Sequence, residues 1–416
     1  MISTSTDGQS FKKAPFFDRR GLLLREFFIS VRQSKQHPGK DSIISCSNAI
    51  PVHFNEDRRK DKAINVKMNE KEQASVAVIV DDRSALLSSI KACGKTKNLK
   101  EGIRIHSEIL QRRLFHKDIY INNALISMYV NCGSFRKAND LFDEITSRNV
   151  VTWNSLICGY VQHGLAEEAL KLFQFMKDQD DISPDSITFS CTLKACGIVK
   201  SVKMGEEIHM EVKKQGLLAR NIILGTSLVD MYAKCGMIEK SQEVFDELIE
   251  RNLISWNSLI TGYVQHGFGE EALTCFKHMQ EEGLLPDVIT YTCILKACGI
   301  TGLIKIGEEI HAKISKLGLL QKDVMLCTAL IDMYAKCGSL EEAREVFDEV
   351  VVRNVISWNA LIGGYAQHGF GDKALDCLCE MRDEGLSPDV VTFASILRAC
   401  GNIGSLEKGQ EIHSEI

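Results

Sequence analysis

The chain has 416 residues, 44% apolar and 25% charged, with a formal net charge of −5 at pH 7. That composition fits a soluble folded protein, and no run of about 18 apolar residues is present, so no membrane span is expected. The charge argues against a bulk polycation, although a basic stripe on one face can coexist with an acidic back.

The first 40 residues carry eight Lys or Arg and only three acids, Asp7, Asp18 and Glu26. Between Arg19 and Arg32 a helix would gather Leu23, Leu24, Phe27, Phe28 and Val31 on one side, with Arg25 and Arg32 on another. Such an arginine-bearing, acid-poor amphipathic start is expected for an organelle transit peptide over 1–40. A disordered tail or a misassigned start codon is the alternative. Residues 41–82 are polar, with charges around Glu56–Lys62 and no sustained period, and are expected to form a disordered linker.

From residue 83 the chain repeats. The stretch Arg251-Asn-Leu-Ile-Ser-Trp-Asn-Ser-Leu-Ile-Thr-Gly-Tyr-Val-Gln-His-Gly267 recurs from Arg148 and from Arg353, and the only three tryptophans, Trp153, Trp256 and Trp358, fall 103 and 102 residues apart. Fixed-period self-similarity signals a repeat array, which overrides the two or three domains that length alone would suggest. Trp256, Leu259, Ile260 and Tyr263 follow the spacing i, i+3, i+4, i+7 of one helical stripe. Gly267 and Gly269 break it, Ala272, Leu273, Phe276 and Met279 form a second stripe, and Gly283 and Pro286 end that. Each unit is thus a helical hairpin that must bury a face against its neighbours. The hairpins are 83–118, 119–149, 150–185, 186–221, 222–252, 253–287, 288–323, 324–354 and 355–389, with a partial one at 390–416; their lengths alternate among 36, 31 and 35. The expected fold is all-α, a right-handed α-solenoid of stacked hairpins. The last hairpin lacks its closing turn, as in a fragment or an incompletely predicted gene product.

The fifteen cysteines mostly recur with the repeats, as Cys93, Cys196, Cys298 and Cys400 do in Ala-Cys-Gly. They read as small apolar residues at packing points, with disulfides or zinc as alternatives.

These residues resemble the pentatricopeptide repeat family, and the alternation of 35-, 36- and 31-residue units is similar to its plant PLS subclass. On that resemblance 83–118, 186–221, 288–323 and the partial 390–416 are L units, 119–149, 222–252 and 324–354 are S units, and 150–185, 253–287 and 355–389 are P units. The Trp-x-x-Leu-Gly-x-x-Tyr pattern of tetratricopeptide repeats is absent. The resemblance implies binding of single-stranded RNA, one base per hairpin, read by the fifth and the last residue of each. Those couples are Asn123 with Asn149, Asn154 with Asp185, Thr226 with Asn252, Asn257 with Asp287, Thr328 with Asn354 and Asn359 with Asp389. Ser190 with Asn221 and Thr292 with Asp323 are weaker candidates, since L units follow the pairing poorly. All are short and polar; Asn and Thr offer donors and acceptors, whereas ionised Asp only accepts. By the family's pairings the array is expected to read C, U, an open position, A, U, a weak G, A and U from residue 119 onward. Helix capping by the same residue types is the alternative for these positions.

The resemblance further implies that the second residues, Val151, Ile187, Ile223, Ile254, Ile289, Met325 and Ile356, wedge bases apart, against ordinary hairpin packing as the alternative. Lys234 and Lys336 are possible phosphate contacts, against unliganded surface lysines; the first S unit has Asn131 there.

Many relatives of this pattern end in a cytidine-deaminase-like domain, which needs His-x-Glu plus Pro-Cys-x-x-Cys to hold zinc. His106-Ser-Glu108, His209-Met-Glu211 and His413-Ser-Glu415 match the first half, but none of the six prolines precedes a cysteine. No phosphate-binding glycine loop occurs. The chain is expected to be non-enzymatic, without cofactor, metal or small-molecule substrate. The expected function is site recognition for C-to-U editing in a mitochondrion, or alternatively a plastid, with a deaminase-bearing protein supplied in trans. A factor for transcript stability, processing or translation, and a protein-interaction scaffold, are the alternatives.

Overall fold

The structure, a computed structural model, describes residues 70–115, 118–178, 182–218, 221–320 and 323–416, with side chains from residue 83 onward. The expected transit peptide at 1–40 and linker residues 41–69 lie outside the described residues. The described residues form twenty α-helices and no strand. In chain order these are α1 Glu70–Thr96, α2 Leu99–Gln111, α3 Ile119–Asn131, α4 Phe135–Glu144, α5 Val150–Gln162, α6 Ala166–Lys177, α7 Ser186–Val199, α8 Val202–Lys214, α9 Ile222–Lys234 and α10 Ile238–Asp246. They continue as α11 Leu253–Gln265, α12 Gly269–Glu281, α13 Val288–Thr301, α14 Ile304–Lys316, α15 Val324–Lys336, α16 Leu340–Glu349, α17 Val355–Gln367, α18 Gly371–Asp383, α19 Val390–Ile403 and α20 Leu406–Glu415.

Odd-numbered helices open the hairpins and even-numbered ones close them. From α3 to α19 every opening helix begins on the first residue of a hairpin. The exception is α1, which starts at Glu70, inside the stretch expected to be linker. In the hairpin 253–287 the turn falls at Gly267, whose φ of 81° suits a residue without a Cβ, and the exit falls at Gly283 with φ 79°.

Each opening helix packs along the next opening helix, from α1 to α19 without a break. Each closing helix packs on its own opening helix and on that of the following hairpin. The result is an all-α helical-repeat solenoid with two layers, and the opening helices form one continuous face.

The Arg-Asn-x-x-x-Trp stretch shows how one hairpin is fastened to the next. Trp153, Trp256 and Trp358 are buried and meet the preceding hairpin edge-on, at Phe142, Phe245 and Phe347, with centroids 4.7, 4.6 and 4.4 Å apart. Arg148, Arg251 and Arg353 lay their guanidinium groups over the same phenylalanines, 4.4, 4.8 and 4.7 Å from the centroids. Losing such a buried aromatic would cost about 3–5 kcal/mol. Trp256 Nε1 and Trp358 Nε1 also donate to Glu282 and Glu384.

Candidate functional site

The last residue of every hairpin caps the opening helix of the next. Asn149, Asp185, Asn252, Asp287, Asn354 and Asp389 each close a capping box with the third residue of the following hairpin, respectively Thr152, Thr188, Ser255, Thr290, Ser357 and Thr392. Asn221 and Asp323 cap Leu224 and Leu326 through the side chain alone. Capping therefore accounts for part of the polarity at these points.

In three hairpins the fifth residue joins the cap across the joint. Asn154, Asn257 and Asn359 donate from Nδ2 to Oδ1 of Asp185, Asp287 and Asp389 at 2.9, 3.0 and 2.9 Å. Their carbonyl ends accept from Thr188, Thr290 and Thr392 Oγ1 at 2.6, 2.7 and 2.6 Å. Asn123 makes a looser version, 3.4 Å to Asn149 Oδ1, with Thr152 Oγ1 at 2.8 Å from its carbonyl oxygen. The bonds to the three aspartates all fall on Oδ1, so among the described residues Oδ2 keeps its acceptor capacity. Burial pushes the Asp389 carboxyl up, but the backbone N–H groups of Thr392 and Val391 and Asn359 Nδ2 outweigh it and hold Asp389 below the usual carboxylate range.

The couples with threonine are built differently. Thr226 Oγ1 is buried with no hydrogen bond among the described residues, and Thr328 Oγ1 turns back to Val324 O at 2.8 Å. Their partners Asn252 and Asn354 cap helices but do not reach them. In the L units Thr292 likewise bonds its own helix, at Val288 O, and neither Ser190 with Asn221 nor Thr292 with Asp323 is joined.

Most fifth residues are closed in, with Thr328 and Asn359 half-buried. Asn123, Asn154, Ser190, Thr226, Asn257 and Thr292 keep only 7 or 8% of their surface, because consecutive opening helices close over them. In the three Asn–Asp couples the last residue is the more open of the two, half-buried at Asp185 and Asp287 and exposed at Asp389. The second residues differ sharply: Val151, Ile187, Ile223, Ile254, Ile289, Met325 and Ile356 are between 38% and 64% exposed, so they are not spent on hairpin packing. A row of exposed aliphatic side chains thus flanks a row of partly open polar caps along one helical layer.

Lys234 and Lys336 are already paired with Asp230 and Asp332 one turn back on their own helices, at 2.7 and 2.8 Å. These are half-exposed pairs, of the kind worth roughly 0–1 kcal/mol, which an incoming anion can displace. His106, His209 and His311 each place Nδ1 2.9 Å from a tyrosine hydroxyl on the next opening helix, Tyr129, Tyr232 and Tyr334, which gives the histidines of two His-x-Glu stretches, His106 and His209, a structural use. No group of three metal-ligating side chains and no membrane-length apolar helix occurs among the described residues.

Two features were not assigned from the sequence. The cysteines are not all separate small apolar groups: Cys158 and Cys191 form a disulfide between α5 and α7, the alternative considered above, though nothing in the sequence singled out that pair. At the matching point one period on, Thr261 faces Cys293 at 3.3 Å. The other missed feature is the third residue, whose part in the polar couple is signalled by the pattern Asn/Asp-x-x-Ser/Thr at the six joints that open with Thr152, Thr188, Ser255, Thr290, Ser357 and Thr392 at the third place.

The PPR repeat family model matches residues 148–197, 251–299 and 353–402, and a PPR repeat model matches 123–150, 226–253 and 326–355. Pentatricopeptide repeat-containing protein At2g13600 of Arabidopsis thaliana is 37% identical over 365 residues, which cover 79% of this chain and 52% of that protein. The mitochondrial At3g02330 and the chloroplastic At4g18520 of the same species are 38% and 37% identical, over 79% and 76% of this chain and 38% and 51% of their own lengths. The chain spans about half the length, or less, of these curated relatives. Among crystal structures, pentatricopeptide repeat protein PPR10 in complex with an 18-nt psaJ RNA element superposes with a TM-score of 0.65 at 21% identity, over 75% of this chain and 47% of that one. PPR10 from maize gives 0.57 at 21% identity, over 76% of this chain and 46% of that one. At such identity the likeness shows the fold.

Proposed function

This chain belongs to the pentatricopeptide repeat family, and from that premise we propose that it binds single-stranded RNA in an organelle, one nucleotide per hairpin. The observation that carries the reading is the periodic pairing of an exposed aliphatic second residue with a polar fifth–last couple. The aliphatic side chain separates neighbouring bases, and the base edge meets the acceptor oxygen left on the cap and the remaining N–H of the fifth residue. PPR10, the structural neighbour described above, was crystallised with RNA, and relatives carry mitochondrial or chloroplastic names. Lys234 and Lys336 would exchange Asp230 and Asp332 for phosphate, which ties affinity to salt.

In its finer form, the chain recognises a C-to-U editing site for a deaminase supplied in trans, as the alternation of 35-, 36- and 31-residue hairpins suggests. The proposed register is C, U, any base, A, U, any base (G weakly favoured), A, U from the hairpin 119–149 to 355–389. The test is binding to that RNA against a scrambled RNA of equal composition at constant salt, with Asn257→Thr alongside. The substitution is expected to move preference at the fifth nucleotide from U toward G, a base-edge change worth about 1–3 kcal/mol by analogy with DNA readout. An unmoved preference would overturn base reading by this couple. Equal affinity for both RNAs would return the chain to the class of protein scaffolds.

A further inference from the structure

Thr152, Thr188, Thr290 and Thr392 stand third in the hairpins that follow Asn123, Asn154, Asn257 and Asn359, whereas Ser255 and Ser357 stand third after Thr226 and Thr328. Asparagine at the fifth place is matched by threonine at the third of the next hairpin, and threonine by serine, in all six joints. Thr152, Thr188, Ser255, Thr290, Ser357 and Thr392 have no exposed surface, so none can touch a ligand directly.

The geometry shows what the match does. A hydroxyl has a single proton. Thr290 Oγ1 accepts the Asp287 backbone N–H at 3.2 Å, and the shorter of its two contacts with acceptors is to Asn257 Oδ1, at 2.7 Å against 2.9 Å for Asp287 Oδ1. Its proton therefore holds the carbonyl end of Asn257 while Asp287 holds the amino end at 3.0 Å. A flipped amide would set its carbonyl oxygen against the Asp287 carboxylate. With both ends held, Asn257 has one N–H and one lone pair left, in fixed directions. Serine acts otherwise: Ser255 and Ser357 Oγ donate to the carbonyls of Asn252 and Asn354 at 2.8 Å, and the threonine across the joint is left alone. The β-branch of threonine restricts χ1, whereas serine is free to make that turn.

We infer that the third-residue threonines Thr152, Thr188, Thr290 and Thr392 are positioning residues for base choice by the hairpin before them, fixing the orientation of the fifth-residue amide, so that at these four hairpins a base is chosen by three side chains. This rests on the proposed reading of the couples. The experiment measures, in the full chain at constant salt, relative affinity for RNAs carrying each of the four bases opposite the hairpin 253–287. Thr290→Val is expected to reduce the preference for U about fivefold, the worth of one hydrogen bond, while base preference at the neighbouring hairpins stays as it was. A purely structural role would lower affinity for all four RNAs alike, and that result overturns the inference. A second arm does not depend on Thr290→Val folding. Thr226→Asn with Ser255→Thr recreates the native set Asn123, Asn149 and Thr152, and is expected to prefer pyrimidine over A at its nucleotide about fivefold more than Thr226→Asn alone. Equal preference in the two variants overturns the inference. Asn257→Thr in parallel separates the two levels: if it moves base choice and the third-residue variants do not, only the inference fails. If it moves nothing, the reading of the couple fails and the inference with it.

Discussion

At Asn257 the hydrogen-bonding capacity of one amide is divided equally between holding a joint and facing outward. The fifth and last residues were visible in the sequence as short polar types at fixed offsets. Their burial was not, because it comes from the next hairpin closing over them, and no local pattern reports that closure. The histidines carry a second residue-scale consequence. Burial pushes His106, His209 and His311 below the ordinary 6.5, aided by Lys137 at His106 and by Lys213 and Lys240 at His209. A folded value below the unfolded one means that the unfolded chain takes up protons first as pH falls. The stability these residues contribute is therefore complete above about pH 6.5 and is lost as pH falls through the lowered folded values. Thermal melts are expected to hold steady above about pH 7 and to drop as pH falls below about 6.5, and the triple His→Gln variant is expected to flatten that drop. A drop of equal size in the triple variant would assign it to other groups, of which Asp389, held low, titrates in a more acid window.

Helices and their boundaries were the most readable level. The Trp256, Leu259, Ile260 and Tyr263 stripe and the glycine breaks predict α11 and its exit, because periodicity and caps are local signals. Two features at this level were not readable. α1 begins at Glu70 although its first residues lack an apolar stripe, and Cys158 meets Cys191 across 33 residues without any motif. The close packing of opening helices also needs coordinates. A Cβ on Gly262 would come 2.6 Å from Ala233 Cβ, and one on Gly364 2.5 Å from Ala335 Cβ, whereas one on Gly401 meets nothing within 4 Å. Alanine gains about 1 kcal/mol over glycine in a helix interior, and overpacking costs about 1–3 kcal/mol. Gly262→Ala is thus expected to lower the melting temperature and Gly401→Ala to raise it. Calorimetry on both variants checks this; a gain at Gly262 would mean that α9 and α11 separate without cost.

Across residues 70–416 every packing contact between helices is local to a hairpin or its neighbours, so stability is a sum of hairpin and joint contributions. The sequence period made this foreseeable, since Trp153, Trp256 and Trp358 mark equivalent points. Removing residues 253–354 joins Asn252 to Val355 as Asn354 now joins it, and restores a joint of the same type. The shortened chain is expected to keep a helical circular dichroism spectrum and a cooperative melt, and to protect three fewer nucleotides in a footprint. Loss of helicity well beyond the deleted share would reveal long-range coupling. The joints themselves are unequal. Those at Asn154, Asn257 and Asn359 are bolted by amide, carboxylate and hydroxyl together, whereas those at Thr226 and Thr328 lack that bolt. Stiff articulations therefore recur at every third hairpin along the solenoid, and bending under load concentrates in the joints between them. Any change of the spelled message also retunes the spring.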